Sequence, residues 1–408
     1  MDLLIQGFSS PQFPCVMDLG IEKGIITYLA EHSLLPPEAK QIIAANGNIL
    51  LPGLVESHIH LDKALLLDQM KSEASTLQEA ISETYKLKSG YTKQDMRERA
   101  IRIIRSSIAA GVTVMRCQVE LDSILEFKAM ELMLELKEEL RDQIDIQLVA
   151  FPQEGIFRQP GTDALMIQSL IRGADVVGGI TYNDSDLNEH LHFIFGLADK
   201  YNKPIDLHVD FSDDSDQLAI LDVIRLTKDY RFQDKVSVGH LTSLGSVKPM
   251  QAEKIAESIA KAGIHVMSLP STELYLNGRA DGYRNRRGLT PVPMLLDSGV
   301  NVIYGTNNIQ NAFTPFGTSD PLDIGLLLAQ TCYMGSAKDA EIIIDMATYR
   351  GAKALGISNY GLHIGADADL VLCNAKDVRT LLYYRSERLF VWKKGKQVAS
   401  TSKETIFY

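Results

Sequence analysis

Basic charge is in deficit: 41 Lys and Arg stand against 52 Asp and Glu, a formal net charge of −11. Such a chain repels nucleic-acid phosphates and anionic lipid unless a local basic patch intervenes. The densest basic run, Arg284-Asn285-Arg286-Arg287, is short and has no continuation, so it reads as a structural or substrate-facing loop. Cysteine is scarce: Cys15, Cys117, Cys332 and Cys373 form no CxxC-type pair and no short disulfide framework. Reduced thiols and a cytoplasmic setting are the expectation. There is no low-complexity tract, and the apolar stretch Ile324 to Leu328 is far too short to span a bilayer. The start, Met1-Asp2-Leu3-Leu4, lacks the basic and apolar regions of a signal peptide.

What is present is enough apolar residue, 45%, to bury a large core in 408 residues. That length exceeds the roughly 250–300 residues at which single cores stop growing. A barrel carrying extra elements accommodates it. Both ends of the chain are rich in β-runs: Leu3-Leu4-Ile5, Gly24 to Leu29 and Asn48 to Leu51 at one end, Ala368 to Leu372 and Leu389 to Lys393 at the other. The last of these turns at Lys394-Gly395-Lys396 into a hairpin return through Gln397-Val398. Neither end alone can bury much surface, so they are expected to form one unit.

Between the ends, short apolar runs alternate with amphipathic stretches. The runs are Gly111–Arg116, Ile144–Phe151, Ala174–Ile180, Pro204–Val209, Val236–His240, Gly263–Leu269 and Val300–Tyr304. Thr92 is positioned to cap a helix, with Asp95 as its box partner and Met96, Ala100, Ile103 and Ser107 on one face. Leu121 to Leu140 reads as one long helix, and Gln251 to Ala262 as another. Strands spaced by helices imply parallel pairing through crossovers. With the strand leading into His58 there are eight units, which closes a (β/α)₈ barrel; an open doubly wound sheet normally has fewer. The expected organisation is an α/β chain. Residues 52–359 form the barrel, and 1–51 with 360–408 form a small composite β-sandwich domain.

Polar residues collect where these strands end: Ser57-His58-Ile59-His60, His208, His240 and Thr306-Asn307-Asn308. Barrel chemistry sits at the carboxyl ends of the strands. Period two puts His58 and His60 on one side, where both can reach one ion, and His208 could supply a third imidazole from across the barrel. Imidazole suits zinc and iron alike. An isolated His-x-His is more often a hydrogen-bonded pair at a rim, but this pair follows Leu51-Pro52-Gly53-Leu54-Val55-Glu56 and precedes Leu61-Asp62-Lys63.

That context resembles the metal-dependent amidohydrolase superfamily. Within it, it is similar to the branch of cytosine deaminases and N-isopropylammelide isopropylaminohydrolases. The resemblance spans nearly the whole chain. It runs through Pro52 to Asp62, Phe151-Pro152-Gln153-Glu154-Gly155, Gly173 to Gly179, Asn277-Gly278-Arg279, Arg286 to Thr290, Pro315-Phe316-Gly317 and Gly365 to Leu370. It implies one divalent ion, zinc or iron, on His58, His60, His208 and Asn307. His240 is implied as the group that polarises substrate and water, and Gln153 as a contact to the substrate ring. Lys63 matches the triazine-type relatives, and Gln118 and Asn308 join it as candidate substrate contacts. The implied reaction is hydrolysis of a C–N bond, releasing an amino or alkylamino group from a small heterocycle such as an aminopyrimidine or aminotriazine. The implied partners are that small molecule and further copies of the chain, with no nucleic acid or membrane.

Two positions depart from the pattern. The deaminases carry His-x-x-Glu on the fifth strand, where the glutamate shuttles a proton; here the run is His208-Val209-Asp210-Phe211. The eighth strand should bring an aspartate, and Asn307 stands there, neutral and unable to take a proton. Asp210, next to the missing glutamate, is the candidate substitute, and Glu120 and Glu154 read as rim or buried-network carboxylates. The alternative expectation is a catalytically impaired homologue that binds a small ligand.

Overall fold

The structure is a computed structural model that describes residues 1–408. Its centre is a sheet of eight strands in sequence order: Leu54–Ile59, Val112–Glu120, Asp145–Phe151, Val176–Ile180, Ile205–Val209, Val236–His240, His265–Ser268 and Val302–Tyr304. All seven neighbouring pairs are parallel. The ring closes where the Asn307 amide donates to the His58 carbonyl (2.8 Å) and the His60 amide to the Asn307 carbonyl (2.9 Å). Helices follow most strands and seal the outside of the barrel. The expected (β/α)₈ architecture is therefore present.

Gly305, just past the eighth strand, is required by this closure: a Cβ there would sit 2.9 Å from the His58 Cβ and 3.0 Å from Glu56 Oε1. Glu56 also helps tie the first strand to the eighth. It accepts from the His58 and Thr306 amides (3.0 Å each) and from the Thr306 hydroxyl. Burial pushes its carboxyl up to about 7.

Two four-stranded sheets come from the chain ends. One has the order Ile25–Glu31, Met17–Glu22, Leu3–Phe8, Gln41–Ala44. The other has the order Lys396–Ser400, Arg388–Lys393, Leu370–Cys373, Ile49–Pro52. Leu50 from one end packs with Leu370, Leu372 and Trp392 from the other in a single apolar cluster with Leu3, Ile5 and Phe8. Met17–Glu22 and Gln41–Ala44 are strands that the sequence did not mark.

Two local expectations are corrected. Helix begins at Lys128, not at Leu121. Asp122 turns the preceding segment by accepting from the Ile124 and Leu125 amides (2.8 Å each), while its other oxygen binds the Lys88 ammonium. Thr92 does cap the helix Lys93–Ala109, accepting from the Asp95 amide (3.1 Å). Asp95 does not reciprocate, because its carboxylate takes Arg99 (2.9 Å) and Gln69 (3.1 Å) instead. The basic run is a held loop: Arg286 pairs with Asp281 and Arg287 donates to the Tyr333 hydroxyl. No helix is long and apolar enough to cross a membrane.

Candidate active site at the carboxyl ends of the strands

The backbone turns sharply where the fifth, sixth and eighth strands end. Asp210, His240 and Asn307 all have left-handed backbone, with φ of 50°, 74° and 61°. Asp, Asn and His adopt this conformation more readily than other non-glycine residues, yet it still costs about 1–3 kcal/mol and persists where the surroundings impose it. It breaks the strand's alternation, so each side chain takes its own direction: His240 and Asn307 line the cavity at the barrel mouth, and Asp210 does not.

His58, His60 and His208 converge. Their ligating nitrogens all lie within 4.8 Å of one another. His58 Nε2 is 3.2 Å from His208 Nε2, which is 3.4 Å from His60 Nε2. All three are buried. Burial, reinforced by Lys63 and the neighbouring imidazoles, holds His60 and His208 well below the usual histidine range. Three buried imidazoles whose ring nitrogens meet this closely are the donor set of a divalent transition metal. The Oδ1 of Asn307 is buried without a hydrogen-bond partner, while its Nδ2 donates to Thr272 (3.1 Å). A buried orphan acceptor beside three imidazoles fits a cation. A carboxylate in its place would fit better, because the amide leaves the ion's charge uncompensated.

Outer contacts orient these ligands. His58 Nδ1 lies 3.3 Å from Gln118 Nε2 and 3.7 Å from Asp206 Oδ1. Asp206 is itself anchored by Arg116 at 3.0 Å in the barrel interior. Phe151 stacks on His208, centroids 4.3 Å apart. Gln118 thus supports His58 from behind and is not among the residues lining the cavity, which corrects its expected role as a substrate contact. Such supporting partners fix tautomer and ring orientation.

The narrow cavity above the histidines brings together His60, His208, His240, Lys63, Gln153, Asn307 and Asn308, closed by Leu77, Tyr182, Phe211, Thr272 and Phe313. Phe211 lies flat on His240, centroids 3.9 Å apart and planes 3° off parallel. Glu273 Oε1 is 3.7 Å from His240 Nδ1. It is fixed there by the Leu269 amide (2.7 Å) and the Thr290 hydroxyl (3.0 Å). Burial lowers the His240 pKa.

Asp210 goes elsewhere. Its carboxylate accepts from the Ala219 and Ile220 amides (2.9 and 3.1 Å) at the start of the following helix, and it lines a separate surface groove with Ser215 and Asp222. Burial pushes it up to about 7. The expectation that Asp210 replaces the missing shuttle is therefore corrected: the left-handed turn directs it to the helix end.

A buried ionic chain backs the cavity. Lys63 Nζ donates to Glu120 (2.7 Å) and Gln153 (2.8 Å). Lys88 Nζ lies 2.7–2.8 Å from Glu120, Asp122 and Glu154. Burial alone would raise the Glu120 carboxyl, but the two ammonium groups outweigh it and bring it down to about 2. Burial likewise opposes the charge on Lys88, and its three carboxylates outweigh that and hold it well above the usual lysine range. Asp62 is pushed up to about 6 by burial and by Glu120. Sequence reading placed Glu120 and Glu154 in a network but missed Lys88, Asp206 and Glu273. No local motif marks them; Lys88 sits on a helix before the second strand, and Glu273 follows a Pro that reads as a turn.

Known proteins resemble this chain over nearly its whole length. The family model described as "Amidohydrolase family" matches residues 98–399. The N-isopropylammelide isopropyl amidohydrolase of Pseudomonas sp. (strain ADP) is 28% identical over 406 residues, 97% of this chain and 96% of that protein. The pterin deaminase of Rhizobium rhizogenes is 25% identical over 401 residues, 97% of this chain and 91% of that protein. The 5-methylcytosine deaminase of Klebsiella pneumoniae, solved with phosphonocytosine, superposes with a TM-score of 0.94 at 28% identity, covering 99% of this chain and 100% of that one. The barrel, its histidine triad and the family match together establish that this chain belongs to the amidohydrolase family, a family of metal-dependent hydrolases.

Proposed function

We propose that this chain hydrolyses a C–N bond of a small nitrogen heterocycle, such as an aminopyrimidine or aminotriazine, and releases ammonia or an alkylamine. The observation that carries the reading is the meeting of His58, His60 and His208 around one point at the cavity floor. These three imidazoles, with Asn307 Oδ1, would hold one divalent ion, zinc or iron. Bound there, such an ion would supply the chemistry of lowering the pKa of water towards neutrality.

The remaining work falls to the chain's own groups. Phe211 carries no proton, and Asn307 accepts none. His240 is the titratable imidazole that lines the cavity outside the triad. Phe211 holds its ring by stacking, and Glu273 stands at Nδ1, which leaves Nε2 to exchange protons with the reacting atoms. Gln153, Asn308 and Lys63 hold the substrate ring, and Phe211, Phe313 and Leu77 keep water from its faces. We assign this chemistry to a unit of residues 52–359, with 1–51 and 360–408 as the small domain, in a homo-oligomer. The named relatives support an active hydrolase over a catalytically impaired binding homologue.

The test is turnover by metal-loaded protein on a panel of aminopyrimidines, pterins and alkylaminotriazines, read as ammonia or amine release. Turnover of at least one class is expected. No turnover on any class, with the ion bound, contradicts the reading.

A further inference from the structure

The cavity above the histidines is sealed: it leaves about 10 Å³ of free volume, room for about one water molecule. A six-membered heterocycle is far larger, so it enters only if part of the cover moves. Three of the covering side chains stand on segments held by several hydrogen bonds each. Around Tyr182, the Thr181 amide donates to the His208 carbonyl (3.0 Å) and Asn183 Nδ2 to the Gln153 carbonyl (2.7 Å). The Asp184 carboxylate beyond it accepts from the Ile156 amide and meets His190 Nδ1 (2.7 Å each). Phe313 sits in a turn closed by Asn311, which accepts from the Phe313 and Thr314 amides (2.9 and 3.1 Å) and donates to the Lys63 carbonyl (3.0 Å). Phe211 is followed by Ser212, whose amide donates to the Thr242 hydroxyl (3.0 Å) and whose carbonyl accepts from the Thr242 and Ser243 hydroxyls (2.9 and 3.2 Å).

Leu77 is held differently. It opens the helix Leu77–Lys88, an addition to the strand–helix alternation, placed between the first strand and the helix Lys93–Ala109. From Met70 to Leu87 the chain makes one hydrogen bond beyond its own neighbours: the Tyr275 hydroxyl donates to the Ala74 carbonyl (3.0 Å). Otherwise it is held by apolar contact. Ala74 and Ala80 are buried and, with Leu77 and Ile81 beside them, pack in one cluster with Phe211, Leu276 and Phe313. Both ends are pinned. The Leu65, Leu66 and Leu67 amides donate to the Ile309 and Gln310 carbonyls (2.8–3.1 Å), and Lys88 is locked among Glu120, Asp122 and Glu154. A segment fixed at its ends and lightly held between them is the kind that opens locally while the core stays folded. We propose that Met70–Leu87 is a hinged flap that swings away to admit a ligand, with the Tyr275 hydroxyl as its latch. Leu77 leaves the cavity with the flap and returns to close it. The inference concerns access to the cavity and stands whatever reaction proceeds there.

Amide hydrogen exchange on the full chain tests this. A 12-residue helix without its packing partners is marginal in water, so each opening lets its amides exchange. The helix Leu77–Lys88 is expected to exchange well ahead of the barrel strand Asp145–Phe151. Tyr275→Phe keeps the ring edge-on to Phe316 (centroids 5.9 Å apart) and removes only the latch. It should speed exchange in the helix by about 5-fold, the weight of one ordinary hydrogen bond, and leave the strand unchanged. Zinc alone is the second probe. Its uptake by metal-stripped chain and its release to a chelator should both quicken by a similar factor at unchanged equilibrium affinity, because the latch is made in the closed state with or without the ion. The proposal is overturned if the helix exchanges no faster than the strand, if Tyr275→Phe leaves helix exchange unchanged, or if that variant shifts zinc affinity at constant rates. A chain that takes up no zinc would remove the metal reading and leave the exchange result to decide the flap.

Discussion

Replacing Lys88 with methionine should destabilise the chain by about 3–5 kcal/mol, the cost of removing one partner from a buried ionic cluster. Lys88 is fully buried, and its ammonium is 2.7–2.8 Å from Asp122, Glu154 and Glu120. Methionine fills most of the volume, so the loss is chiefly electrostatic: two carboxylates lose their only close cation, and Glu120 keeps Lys63 alone. Against a total stability of about 5–15 kcal/mol for a typical domain, this is a large fraction. The assay is urea unfolding, where the midpoint should fall with little change in slope. The same substitution should raise KM, because Glu120 anchors Lys63 and Glu154 adjoins Gln153 in the substrate wall. Combining Lys88→Met with Glu120→Gln should cost less than the two single changes added together, since removing the charge relieves the repulsion that Lys88 had masked. A loss under about 1 kcal/mol, typical of an exposed pair, would refute the view that this chain of charges is buried and mutually dependent.

Asp210 should make stability pH-dependent. Its folded pKa of about 7 lies above the unfolded value of 3.8, so its contribution is fully present below about pH 4 and lost as pH rises through about 7. Asp210→Asn should flatten that part of the urea midpoint against pH, and an unchanged slope would count against the burial assigned to this carboxyl. Glu273→Gln removes the carboxylate charge 3.7 Å from His240 Nδ1 and should lower kcat by about 10-fold, ~1.4 kcal/mol of barrier, with KM nearly unchanged because Glu273 does not line the cavity. A rise in KM at constant kcat would contradict its place behind His240. Asn307→Asp should tighten retention of the ion by a similar factor on dialysis against a chelator, with equal retention as the opposing result.

The barrel was legible because its strands are short apolar runs separated by amphipathic helices, a pattern that chain connectivity turns into parallel pairing. The triad was legible because His58 and His60 share a face by period two. The small domain was read incompletely: Met17–Glu22 and Gln41–Ala44 carry Gly20 and polar residues, and pairing across the sheet makes them strands. Side-chain direction at the strand ends was not legible. Period two sent Asp210 towards His208, but a left-handed residue ends the alternation there. Gln118 failed for a related reason, since a residue of the second strand lies behind His58, and only the closed ring reveals which side of a ligand it touches. Lys88 and Glu273 became visible only when distant segments met, because nothing in their local sequence distinguishes them from solvated charges.

The central claim is tested most directly by the metal content of the purified chain, with X-ray absorption at the metal edge to report the surrounding atoms. The account predicts one zinc or iron per chain in a first shell dominated by imidazole nitrogen, lost in His58→Ala and in His208→Ala while the barrel stays folded. A protein that takes up no divalent ion, or one whose ion is indifferent to both substitutions, would contradict it.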